Sequence, residues 1–179
     1  MSKLSVTRAL LATGVFAACV FSASPAQAQF ANHSIGFEVG GMWIANPEAQ
    51  GVGSGGGLGI NATLYIESGF EMYFRLLVGL HAPAGLNKST AVAISPALGF
   101  RYLFSEENVR PYLGLAIAYD SFLNIPYDAR FTVAPMAGLE FFVADNFSIG
   151  VQAEYHLLLQ LDKDPEHAVV GLGKFGWYF

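Results

Sequence analysis

Seven charged residues, Glu38, Glu71, Arg75, Arg101, Glu140, Glu154 and Lys174, are scattered among glycine, alanine and apolar neighbours rather than gathered in a polar run. Four carboxylates and three cations placed this way can pair inside a fold, gate a polar conduit, or act as acids and bases. Four histidines, His33, His81, His156 and His167, are the other groups able to move a proton or hold a metal. Acyl transfer by histidine needs a serine or aspartate within reach, and His156 is followed by Leu157 and Leu158, so a His-x-Ser pattern is absent. The glycine run from Gly51 to Gly59 has no Lys-Ser/Thr phosphate signature and no helical pattern after it, so it reads as a flexible loop entering a strand. No catalytic residue, metal site or cofactor is expected; the chemistry of the chain rests on the seven charges and on whatever holds them.

Composition narrows what that can be. Only 13% of the 179 residues are charged and 53% are hydrophobic, with a mean hydropathy of +0.41. A soluble domain carries about 25% charged residues, so a water-exposed enzyme is excluded. A membrane helix needs roughly 20 consecutive apolar residues. The longest uncharged stretch of the chain beyond its leader, Ala49 to Ile66, spends its first half on GVGSGGGLG, which excludes a helical bundle too.

From Gln29 onward the hydrophobic period is two. Ile35, Phe37, Val39 and Trp43 alternate with Gly36, Glu38, Gly40 and Met42; Phe70, Met72, Phe74, Leu76, Val78 and Leu80 alternate with Glu71, Tyr73, Arg75, Leu77, Gly79 and His81. The same pattern recurs around Leu58–Ile66, Val92–Phe104, Leu113–Tyr119, Val133–Val143, Phe147–Leu159 and Val169–Phe179. Eight segments of about 9 to 13 residues are the length that a tilted strand needs to cross a bilayer. With the faces assigned from apolar residues alone, all seven charges fall on the opposite face.

A charge facing lipid costs about 2 to 4 kcal/mol at the bilayer midplane, whereas a lumen accepts it if paired. A soluble sandwich also alternates, but its polar face meets water and would carry Lys and Glu in quantity; here that face is mostly Gly, Ala and Ser. Small residues suit the confined interior of an eight-stranded barrel. The expected fold is therefore all-β, an eight-stranded antiparallel up-and-down transmembrane β-barrel. If the 83–89 connection centres on Leu86, Glu71 lies opposite Arg101 with Arg75 further along the same face. An ion-pair network of Glu71, Arg101 and Arg75, completed by Glu38, Glu140, Glu154 and Lys174, is expected in the lumen. Two readings of it stay open, a satisfied filling and a gate. His81 and His156 fall on segments four apart, hence on opposite walls, which is poor geometry for one metal ion or one dyad.

Phe70, Tyr102, Phe104, Phe141, Phe147, Trp177 and Phe179 would lie at one end as an interfacial girdle, together with tight turns near Ser68, Glu107 and Asp145. Trp43 and Tyr119 belong to a thinner girdle at the other end. Longer connections are expected there, at Asn46 to Gly56, Pro83 to Ser89, Ser121 to Arg130 and Gln160 to Glu166. The 121–130 segment is the most apolar, with Phe122, Leu123, Ile125 and Tyr127. It is expected either to fold as a lid over the barrel mouth or to contact a partner protein or a hydrophobic solute.

Residues 1–28 read as a secretory signal peptide: Lys3 and Arg8 before an apolar Ala9–Ser22, then Ala26-Gln27-Ala28 as cleavage site. A competing reading, lipid attachment at Cys19, is opposed by Phe16 and by the apolar Val20-Phe21 beyond it. The barrel domain is then 29–179, without cysteine. Removing Lys3 and Arg8 from nine basic residues leaves seven against fourteen acidic ones, a formal charge of −7. Nucleic acid is not an expected partner at that charge.

The stretches RPYLGLAIAY (Arg110–Tyr119) and GLEFFVADNFSIGVQAEYHL (Gly138–Leu157) resemble the strands of small Gram-negative outer-membrane β-barrels, the grouping of the OmpA transmembrane domain, OmpX and the OmpW group. The ending Phe175-Gly176-Trp177-Tyr178-Phe179 is similar to the C-terminal signal read by the barrel-assembly machinery, with Lys174 where a glycine is usual. This resemblance implies the outer membrane as location, lipid and lipopolysaccharide as surroundings, and the assembly machinery and periplasmic chaperones as partners during biogenesis. It does not imply one activity. A non-enzymatic structural or anchoring barrel, working within an envelope complex for secretion or motility, is one expectation; a narrow channel for small or hydrophobic solutes is the other.

Overall fold

A computed structural model describes residues 33–47, 51–85, 89–125, 129–159 and 164–179. The leader 1–28 and Tyr127 lie outside the described residues. Eight strands follow one another: β1 (His33–Ile44), β2 (Val52–Glu67), β3 (Phe70–Pro83), β4 (Ala91–Leu103), β5 (Val109–Phe122), β6 (Arg130–Ala144), β7 (Phe147–Leu159) and β8 (Glu166–Tyr178). Each pairs antiparallel with its sequence neighbours, and β1 also pairs with β8, so the sheet closes into an up-and-down barrel with no free edge.

The alternation dictates which way each side chain points. Phe131, Ile117 and Val151 are about 60% exposed on the outer surface while Glu38 and Arg101 are fully buried, the reverse of a water-soluble protein. Closure leaves no unpaired edge in lipid, where each unsatisfied backbone group costs several kcal/mol.

One end carries the tight connections. Ser68 and Gly69 turn β2 into β3 with positive φ, 51° and 84°, a backbone twist matching the strands on either side. Asp145-Asn146 joins β6 to β7, and Phe179 exchanges backbone hydrogen bonds with His33 at the same end. Aromatic pairs ring that end: Phe70 with Tyr102 (4.9 Å), Tyr102 with Phe104 (5.3 Å) and Phe147 with Trp177 (5.1 Å). Towards the other end lie Tyr119 against Phe131 (5.3 Å), Tyr155 on His167 and the exposed Trp43.

Two expectations change. The glycine run is strand rather than loop: β2 starts at Val52, and Gly55 to Gly59 pair with both β1 and β3. Glycine serves there because the neighbouring backbone comes close; a Cβ on Gly57 would sit 2.6 Å from the Val78 carbonyl oxygen. The strands are also longer than expected, 12 to 16 residues, because pairing continues beyond the stretch where the apolar alternation is cleanest.

Candidate functional site

The inward faces of the strands carry the charges. Glu38 comes from β1, Glu71 and Arg75 from β3, Arg101 from β4, Glu140 from β6, Glu154 from β7 and Lys174 from β8, each no more than 4% exposed. Antiparallel register sets Glu71 opposite Arg101 on the adjoining strands. The Arg101 Nε donates to Glu71, and its two terminal nitrogens donate to Glu140 at 2.9 and 3.4 Å. Its guanidinium lies 4.7 Å from the Tyr112 ring centroid. Glu140 also accepts from the Tyr178 hydroxyl at 2.7 Å.

A second centre is built on Arg75, which forms a two-pronged pair with Glu154, one prong at 3.0 Å. Glu154 accepts further bonds from Gln152 Nε2 and from the His156 ring, each at 2.5 Å. Glu38 accepts from Asn61 (2.9 Å) and Tyr73 (2.7 Å) and faces Lys174 Nζ at 3.6 Å and Arg75 at 3.9 Å. Lys174 joins the two centres: it donates to Gln152 at 3.0 Å and lies 3.8 Å from Glu140.

Geometry decides what such a network can do. In a closed eight-stranded ring β3 faces β7, and β4 faces β8. The Arg75–Glu154 pair therefore reaches from wall to wall, and the Glu140–Tyr178 and Arg101–Glu140 bonds link three separate strands across the other diameter. Side chains occupy the interior at this level, as the narrow bore of an eight-stranded barrel allows.

A smaller polar layer nearer the end opposite the tight turns was not among the expected site residues. Thr132 donates to Asp120, and Arg130 pairs with Glu166. Tyr73, Tyr112, Tyr178, Asn61 and Gln152 were missed as well, although each stands on the face opposite the apolar alternation of its strand, Tyr73 between Glu71 and Arg75. Parity was the signal that could have found them; attention to charge alone passed over the tyrosines.

The 121–130 segment splits. Phe122 and Ile125 turn in and pack with Val52, Ala91 and Ile44 over the mouth, while Leu123 is 53% exposed. Phe175, Trp177 and Phe179 lie on the outer surface. The histidines stand apart: His81 on β3 donates to the Gly53 carbonyl on β2 (3.1 Å), His156 is bound to Glu154 on β7, and His167 bonds Tyr155. Since a carbonyl oxygen only accepts, the His81 Nδ1 carries the proton of that bond. Among the described residues no group of three or more His, Cys, Asp or Glu side chains could hold a metal ion.

The sequence profile of the outer membrane protein beta-barrel domain family matches residues 13–179. No curated protein sequence matches the chain. Among solved structures, the Neisserial surface protein A is similar with a TM-score of 0.61 at 14% identity, covering 83% of this chain and 97% of its own. The outer membrane protein OprG of Pseudomonas aeruginosa gives 0.56 at 13% identity, covering 83% and 96%. The outer membrane enzyme PagL gives 0.50 at 17% identity, covering 82% and 99%. At these identities the likeness is one of fold, and the fold is shared by enzymes and by proteins that are not.

Proposed function

The chain belongs to the outer membrane protein β-barrel domain family, and from that premise we propose that it is a non-enzymatic structural barrel, closed to solute, that anchors an envelope complex in the outer membrane. The observation that carries this reading is the wall-to-wall Arg75–Glu154 pair, with Arg101, Glu140 and Tyr178 filling the other diameter. A guanidinium with both its prongs on one carboxylate, in a site without bulk water, yields only if the charges it leaves are compensated elsewhere. On the same reading lipid and lipopolysaccharide meet the outward apolar face, and the exposed Phe175, Trp177 and Phe179 on the β8 side are what the assembly machinery and chaperones read during biogenesis.

Planar-bilayer recording of the purified protein tests the closed state. Silence is expected for the native chain, and openings for an Arg75→Ala/Glu154→Ala variant that loses the cross-lumen pair. Reproducible unitary currents from the native chain would favour the narrow channel and sink this reading. Crosslinking in intact cells, followed by recovery of the barrel with one defined set of envelope proteins, tests the anchoring role.

A further inference from the structure

Within the charge network long side chains, Tyr73, Arg101 and Tyr112, reach into the bore and are at most 1% exposed. From there towards the end opposite the tight turns the inward positions become small. Ala93 pairs with Gly79, Gly40 with Gly57, Ala118 with Thr132 and Ala168 with His156. The bore of an eight-stranded barrel is just wide enough for side chains to fill, so glycine and alanine on facing walls do not meet across it.

Burial and packing mark the space that results. Met42 is in register with the buried Val170, and Leu77 with the buried Ser95, so both face inward; yet both are only half-buried, while Glu38 and Arg75 on the same two strands are 0% and 4% exposed. The buried apolar side chains form one cluster around Tyr73, Tyr112 and Met136 and a second of Val52, Ala91 and Ile125 at the mouth, and Ala93, Ala118 and Ala168 belong to neither. A continuous close-packed interior has no such break. Polar atoms point to the same stretch. Ser95 Oγ and His156 Nδ1 have no hydrogen-bond partner although their residues are 4% and 0% exposed, and buried polar groups are ordinarily bonded. Ser95 stands two residues beyond Ala97, the register partner of Arg75, and His156 two residues beyond Glu154, whose carboxylate engages its Nε2. Arg75 Nε and Glu38 Oε2, which also lack a hydrogen bond, belong to the ion-paired floor of this stretch; His33 Nδ1 lies at the tight-turn end.

We propose that this stretch of the lumen, between the Arg75–Glu154 pair and the apolar cluster at the mouth, is a binding pocket for one small uncharged molecule, mainly apolar, that carries a hydroxyl group. Its walls offer methyl and methylene groups and the Met42 thioether, which pack against a ring. The hydroxyl both donates and accepts, so it completes Ser95 Oγ, with His156 Nδ1 across the bore on β7 as a second partner. A charged guest would be buried without a counter-ion, since Arg75 and Glu154 are paired with each other. Val52, Ala91 and Ile125, with Ile44 and Phe122 packed against them, close the pocket at the mouth. The ion-paired floor separates it from the rest of the bore, so binding here needs no conduction, and the pocket and the closed state of the barrel stand or fall separately.

Methionine methyl groups read the pocket directly. Met42 lines it, Met136 belongs to the cluster on the far side of the network, and Met72 faces lipid in register with the exposed Phe100. Phenol is titrated into the protein purified from outer membranes, labelled with 13C-methyl methionine and held in lipid nanodiscs. The Met42 resonance is expected to shift to saturation, Met136 to stay in place, and Met72 to move only in proportion to the phenol dissolved in lipid. Phenol added during refolding from urea, as well as to the folded protein, covers slow entry past the cluster at the mouth. Ser95→Ala should weaken phenol binding by about fivefold, the worth of one neutral hydrogen bond, and benzene should bind the native protein weaker by a similar factor. Ala93→Leu should fill the pocket and abolish the Met42 response. No saturable Met42 shift under either protocol overturns the pocket, and so does a shift that Ala93→Leu leaves unchanged. Phenol bound as tightly by Ser95→Ala as by the native chain, or benzene bound as tightly as phenol, overturns the hydroxyl-bearing guest. Heat-modified gel migration checks that each variant is folded, and the Ser95→Ala and benzene arms stand if Ala93→Leu is not.

Discussion

Replacing Arg101 by methionine keeps most of the stem volume and removes the charge at the centre of the network. Arg101 is 1% exposed, and among the described residues the ion pairs of Glu71 are with Arg101 alone. Glu140 is less dependent: it keeps the Tyr178 hydroxyl at 2.7 Å and Lys174 at 3.8 Å. Breaking a buried pair from one side costs about 3 to 5 kcal/mol because a carboxylate is left buried without compensation. Here that carboxylate is mainly Glu71. Arg101→Met should therefore lose about 3 to 5 kcal/mol, and adding Glu71→Gln should return about 2 kcal/mol or more, since the stranded charge is gone. Urea unfolding of the barrel in lipid vesicles, followed through the fluorescence of Trp43 and Trp177, reads both. A loss below about 1 kcal/mol for the single variant, the range of an exposed ion pair, would refute the argument that the lumen excludes bulk water at this level. Strict additivity of the two changes would refute the coupling.

Two further changes probe the wall. A Cβ at Gly138 would come within 2.2 Å of the Tyr112 ring, which lies across it, so Gly138→Ala should lose about 1 to 3 kcal/mol in the same assay, and Tyr112→Leu should relieve it. Leu115 stands mid-strand on β5 and is 51% exposed to the lipid side, so Leu115→Arg should cost about 2 to 4 kcal/mol; a cost near zero would mean that this face does not meet hydrocarbon.

Period and parity carried most of the fold. From Phe70 to His81 the burial of β3 alternates as the period demands, apart from Leu76 and Leu77, which are both half-buried, and the pairing of Glu71 with Arg101 follows from that parity and a short connection at residues 84–90. Inside, sequence reasoning reached the charges and stopped. Which cation meets which carboxylate depends on strands four apart, and no local spacing relates Arg75 to Glu154 across 79 residues. The glycine run was misread because glycine is permissive in loops and is equally at home in a strand where backbones crowd. The split of the 121–130 segment, Ile125 inward and Leu123 outward, is likewise set by where Val52 and Ala91 stand on strands remote in sequence.

An apolar lumen would fill the bore as well and would avoid burying ions, so the choice of ion pairs calls for a reason. Strand register in a barrel is fixed by the difference between its two faces, and a slip by one residue exchanges them. With apolar residues on both faces the exchange would be nearly free in lipid. With the charges present, a one-residue slip of β3 alone turns Glu71 and Arg75 into the bilayer and brings Met72 and Phe74 against the charges of neighbouring strands. Each exposed charge costs up to about 2 to 4 kcal/mol, comparable to a large part of the stability of a small domain. The network then adds a second penalty, since Glu154 and Arg101 lose partners on the strand that slipped. On this argument the buried pairs contribute little to the depth of the native state over a well-packed apolar core, and much to the gap separating it from its misregistered neighbours.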